Sequence, residues 1–251
     1  KNKFHFKIRS MDLKDLSGAA TGFGDKMPGM GGQDAGAMLG NLFPDGGQKA
    51  SQEEFDKMQE CAAMLEKYVS RVPKNSGCVR FDPQDMERWL NDYFKTLVHG
   101  GPQLPDDQFY TGDSNAVSNI GIGSDGEFTC EELFQFLYRL FKAISGYKVQ
   151  SAGAKAVMQN ADLFGCADML EKYVGRFPKT KGCVKLEGDD AKDWKERYFP
   201  NLVEGGPKLP DYSFFNPSDK SYGIGTDCNF SARELFHFLY RLYKEISKQL
   251  G

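Results

Sequence analysis

Between Ser51 and Val72 the apolar residues Phe55, Met58, Cys61 or Ala62, Leu65 and Val69 recur every three or four positions, the spacing of one helix face. Ser51 and Glu54, three residues on, form a capping box at its start, and Pro73 closes it. A second helix is predicted from Pro83, capped by Asp82, with proline at its first position. Met86, Trp89, Leu90, Tyr93, Phe94 and Leu97 give it one wide apolar stripe, and Gly100, Gly101 and Pro102 stop it. A third helix carries Leu133, Phe134, Phe136, Leu137, Tyr138, Leu140, Phe141 and Ile144, which cover more than one face. A helix apolar nearly all round must be buried nearly all round. Two short extended pieces, CVRF at 78–81 and EFTC at 127–130, fit an antiparallel pair.

The whole pattern then returns. Residues 61–79 reappear as 166–184, with 14 of 19 positions identical at an offset of 105. Trp89 maps to Trp194, and GGPQLPD at 100–106 maps to GGPKLPD at 205–211. GIG at 121–123 returns at 223–225, the offset now 102, and FLYRL at 136–140 returns at 238–242. The second copy of the third helix carries Leu235, Phe236, Phe238, Leu239, Tyr240, Leu242, Tyr243 and Ile246. The two copies are expected to bury these helices against each other over part of their surface, with another protein covering the remainder. Self-similarity of this kind is a tandem duplication. The boundary is predicted near Ser145–Ala152, as a bend or as a helix running on into the second copy.

Ahead of the repeats the texture differs. Phe4, Phe6 and Ile8 alternate with Lys3, His5, Lys7 and Arg9, the period of a half-buried strand. Such a strand either docks on a sheet edge, of this or another protein, or is coil. Residues 11–50 hold ten glycines between Gly18 and Gly47, with Met27, Met30, Met38, Leu39, Leu42 and Phe43 scattered among them. That composition predicts an extended arm whose methionines and leucines are adaptable anchors on a partner protein.

Composition narrows the function classes. Apolar content of 40%, with 13% aromatic, suffices for real cores and excludes a chain disordered throughout. Net charge is −3, from 35 acidic and 32 basic residues well mixed, so neither nucleic acid nor an anionic membrane is the expected partner. No apolar run reaches the roughly 18 residues that span a bilayer. The chain opens at Lys1 without an initiator methionine, so removal of a targeting peptide, with an organellar destination, is one expectation and a trimmed chain the other. Cys61, Cys78, Cys130, Cys166, Cys183 and Cys228 include no CxxC pair and no histidine at zinc-ligand spacing. Buried thiols are the plain expectation. Bridges Cys61–Cys78 and Cys166–Cys183, which recur between the copies, are the alternative.

The segment Asp125, Gly126, Glu127, Phe128, Thr129, Cys130, Glu131, Glu132 resembles the second half of an EF-hand loop. Asp125, Gly126, Phe128 and Glu132 stand where that loop wants an acid, a sharp-turn glycine, an apolar residue and a terminal glutamate; Thr129 suits the position after Phe128. Asp227, Phe230, Ser231 and Glu234 do the same in the second copy, with Cys228 in place of the glycine. The resemblance implies a mainly α protein: two tandem EF-hand-like helical domains with short paired β pieces, preceded by an extended Gly/Met-rich arm. Its expected divisions are 1–50 for the arm, 51–148 for repeat 1 and 149–251 for repeat 2. It also implies a metal-ligand set of Asp125, Glu127, Thr129, Glu132, Asp227, Asn229, Ser231 and Glu234. The early ligand positions are Gly121 and Gly123, then Gly223 and Gly225, and the first loop of each repeat, around Gly77 and Gly182, keeps no ligand set. Either no cofactor or weakly bound Ca2+ is therefore expected.

No GxSxG, Walker, Rossmann or HExxH motif occurs, and His5, His99 and His237 do not recur between the copies. The expected function is a non-enzymatic structural or interaction subunit that binds other proteins through its arm and its aromatic exit helices. A calcium sensor using the second loop of each repeat is the alternative. A small-molecule module between the repeats is a weaker third.

Overall fold

A computed structural model of the chain describes residues 51–72, 78–98, 127–152, 154–177, 183–204, 224–225 and 227–251. The arm at 1–50 and the loop residues Asp125 and Gly126 lie outside them. The described residues are mainly helical, with two short antiparallel strand pairs. In the first copy these are α1 (Gln52–Val69), β1 (Cys78–Arg80), α2 (Pro83–Arg88), a π-helix π1 (Trp89–Val98), β2 (Glu127–Thr129) and α3 (Cys130–Ser151). A short α4 (Ala154–Gln159) leads into the second copy: α5 (Ala161–Val174), β3 (Cys183–Lys185), α6 (Gly188–Asp193), π2 (Trp194–Glu204), β4 (Asn229–Ser231) and α7 (Ala232–Gln249). At the boundary α3 runs straight through Ser145 and stops at Ala152, whose ψ of 136° is extended.

Local chemistry fixes the helix starts. α1 begins with the capping box expected from its sequence: Ser51 N–H donates to Glu54 Oε2 at 2.7 Å, and Glu54 N–H donates back to Ser51 Oγ at 3.2 Å. Phe55, Met58, Cys61, Ala62, Leu65 and Tyr68 form its buried face.

Each strand pair is held at one central residue. Val79 lies opposite Phe128, and Val184 opposite Phe230, all four buried. Trp89 meets the Phe128 and Phe136 rings edge-on at centroid distances of 5.1 and 5.2 Å. Trp194 meets Phe230 and Phe238 in the same way at 5.0 and 5.3 Å. Buried tyrosines tie the strand exits to α1 and α5. Tyr68 donates to Asp85 at 2.7 Å and accepts from Asp82 N–H at 3.0 Å; Tyr173 does so with Asp190 and Glu187. Burial first, then the Asp85 bond, pushes the Tyr68 phenol up to about 12, so it remains a donor at neutral pH.

One helix was expected from Pro83 to Val98, but the α-form ends at Arg88 and a π-helix continues. Pro200 lies inside π2, yet its counterpart in π1 is Lys95, so proline is not the shared cause. What the two share is buried residues every four positions: Trp89, Tyr93, Leu97 and Trp194, Tyr198, Leu202.

The core centres on α3 and α7, which lie against each other along their length; α1 covers α3, and α5 covers α7. No described helix is long and apolar enough to cross a membrane.

Candidate functional site

The expected ligand residues split into structural roles. Thr129 and Glu132 are a capping box for α3, with Thr129 N–H donating to Glu132 Oε2 at 2.7 Å and Glu132 N–H donating to Thr129 Oγ1 at 3.1 Å. Ser231 and Glu234 repeat it on α7, at 2.8 and 3.2 Å. Glu127 accepts from Arg80 across the strand pair, with Arg80 Nε at 2.7 Å. Asp227 accepts from its neighbour Asn229 twice, from the backbone N–H at 3.0 Å and from Nδ2 at 2.9 Å. The side-chain bond from Asn229 is the main reason the Asp227 carboxyl sits below its ordinary range. Asp125 lies outside the described residues. Among the described residues no group of three or more His, Cys, Asp or Glu is placed to hold a metal ion.

The interior of the second loop is filled by packing around Gly225. Gly225 has φ +66°, and a Cβ there would stand 2.4 Å from Phe230 Cζ. An aspartate side chain at this position would meet the ring. The Gly225 carbonyl accepts from the buried Trp194 Nε1 at 2.7 Å and from Cys228 N–H at 2.9 Å. Cys228 takes φ +60°, so the turn that the sequence assigns to a glycine is made, with strain, by a cysteine. The loop thus wraps an aromatic pair, Phe230 and Trp194.

The larger constellation is the seam between α3 and α7. Its contacts are reciprocal. Tyr138 donates to Glu171 at 2.7 Å, with Lys142 Nζ at 2.5 Å from the same carboxylate. In the other half Tyr240 and Lys244 both donate to Glu66. Tyr138 stacks with Phe236 at 6.2 Å and Phe134 with Tyr240 at 6.4 Å. Tyr138 meets Tyr243 at 5.9 Å and Phe141 meets Tyr240 at 5.7 Å. Contacts that exchange a for b in this way mark a two-fold-like, isologous surface, here closed within one chain. Burial first, then the carboxylates, pushes the Tyr138 and Tyr240 phenols well up, so each stays a proton donor. A shared LYRL sequence flanking both tyrosines was the available signal, but the identity of their acceptors, on α5 and α1, was not.

The two exit helices bury their aromatic surface against each other and under their own repeats: of the sixteen apolar residues named above for the two helices, fifteen are buried and only Phe141 is half-buried. None of the six cysteines is in a disulfide, so the plain expectation of thiols holds and the alternative bridges do not form. Cys61 and Cys166 are buried in helices, whereas Cys78 and Cys183 open their strands exposed to solvent.

No protein-family model matches the chain, and no similarity to a curated protein or to a solved structure is found.

Proposed function

We propose that the protein is a non-enzymatic structural subunit, in which a duplicated, degenerate EF-hand-like unit serves as a rigid platform and the Gly/Met-rich arm at 1–50 binds other proteins. One observation carries the structural part: the Gly225 loop is filled by the Phe230 ring, and its carbonyl is engaged by Trp194. A loop spent on packing suits a fixed platform better than a switch. The capping roles of Glu132 and Glu234 support the same reading, because moving either carboxylate to a metal would uncap an exit helix.

Two measurements on the full chain test this. Calorimetric titration with calcium to millimolar concentration is expected to show no heat, and Trp89 and Trp194 fluorescence no change; saturable binding would favour the sensor instead. Native purification is expected to bring down a partner that is lost when residues 1–50 are deleted, with the helical content unchanged. Partner retention after that deletion would remove the arm from the proposal.

A further inference from the structure

We propose that the α3–α7 seam is an acid-sensitive latch, in which protonation of His237 opens the two repeats along their shared face. His237 is 2% exposed and sits in the seam itself. Its ring stacks on Phe134 of α3, centroids 4.4 Å apart, with Tyr240 of its own helix at 5.9 Å. The charged groups around it favour a neutral ring. On α7, Arg233 and Arg241 lie one turn to either side. On α3, Glu131 accepts from Arg233 at 3.2 Å. On α1, the carboxylate reaching the seam is Glu66, which already holds Tyr240 and Lys244.

An imidazolium here loses its hydration and faces the Arg241 guanidinium. Attraction to the Phe134 ring face offsets only part of that cost. Burial first, and Arg241 second, accordingly hold the imidazole neutral well below its ordinary range. The twin position makes the device one-sided: it is Gln135, also buried, which cannot titrate.

The sign follows from proton linkage. The opened chain takes a proton near pH 6.5, the closed seam does not. Closure is therefore at full strength above about pH 6.5 and weakens as the pH falls, by about tenfold in the closed-to-open ratio per pH unit for the one proton.

The test compares the full chain with His237→Gln, which copies the twin. Folded-to-unfolded equilibrium constants from pH 8 to pH 4.5 are expected to run parallel above about pH 6.5 and to diverge below it, the wild type losing about tenfold more per unit. Parallel profiles would overturn the proposal. Amide exchange locates the opening: early loss of protection at 134–144 and 236–246 supports a latch, and a uniform loss along the chain overturns it. If the variant does not fold, the wild-type imidazole resonances decide. A His237 ring still neutral at pH 5 supports the latch, and one titrating at its ordinary pH in the closed protein rules it out.

Discussion

Glu131 and Arg233 occupy equivalent positions in the two copies and meet each other across the seam, with Arg233 Nε 3.2 Å from Glu131 Oε1. A residue that contacts its own counterpart lies at the centre of a two-fold-like surface. Were the copies identical there, glutamate would face glutamate or arginine would face arginine. Because the copies differ there, an ion pair stands where identical residues would repel, which would favour repeat 1 on repeat 2 over repeat 1 on itself.

Charge reversal tests that preference. Glu131→Arg and Arg233→Glu alone are each expected to lower stability by about 1 kcal/mol, since each juxtaposes like charges at a half-exposed site. The double reversal is expected to recover most of it, giving a coupling of about 0.5–1 kcal/mol in a denaturant double-mutant cycle. Additive losses would show that the pair contributes nothing to the seam.

Gly225→Asp introduces the acidic residue that the proposed EF-hand-like loop would want there. The structure predicts damage rather than a metal site. The new Cβ collides with Phe230 and takes a left-handed φ that suits glycine, at a combined cost of about 2–4 kcal/mol. Thermal unfolding with and without calcium checks this, and a calcium-dependent rise in the midpoint would contradict it.

Thr129→Ala and Ser231→Ala each remove one half of a capping box, and each is expected to cost about 1 kcal/mol in chemical unfolding. The loss should be the same with and without calcium. A loss that appears only with calcium present would return these hydroxyls to a ligand role.

Tyr138→Phe and Tyr240→Phe delete the phenol that reaches across the seam to a carboxylate. A hydrogen bond to a charged group contributes about 1.5–3 kcal/mol. The lower end is expected for Tyr138, because Glu171 also accepts from Lys142 and from Tyr243 at 3.1 Å. Equal, near-zero effects in both variants would argue that the two clusters are incidental.

Thiol alkylation gives a direct count. In the native protein Cys78 and Cys183 should react quickly, while Cys61, Cys130, Cys166 and Cys228 react only on unfolding. Burial also raises the Cys61 and Cys166 thiols well above their ordinary range, which slows them further. Mass spectrometry of peptides labelled for increasing times separates the two classes.

The sequence by itself determined where the main helices lie, the α1 capping box, the duplication and the antiparallel pairing of CVRF with EFTC, although Asp82, expected to cap α2, makes no side-chain cap bond there. Those depend on short-range rules: a serine or threonine three residues before a glutamate, apolar residues at one period, and identity at a fixed offset. Even the terminal glutamates were legible as helix-start residues, although the same spacing suits a metal loop. Sequence spacing cannot separate these uses, because both put the carboxylate at the helix N-terminus. The Phe230 ring against Gly225 is a matter of packing, which neither use predicts from spacing. Tertiary structure alone decided which aromatic faces close on one another, which carboxylate each seam tyrosine finds and which thiols reach solvent. The residues involved lie far apart in sequence, 102 positions for Arg233 and Glu131 and 174 for Tyr240 and Glu66. Their pairing is set by the shape and burial of whole helices, a condition that no local pattern encodes.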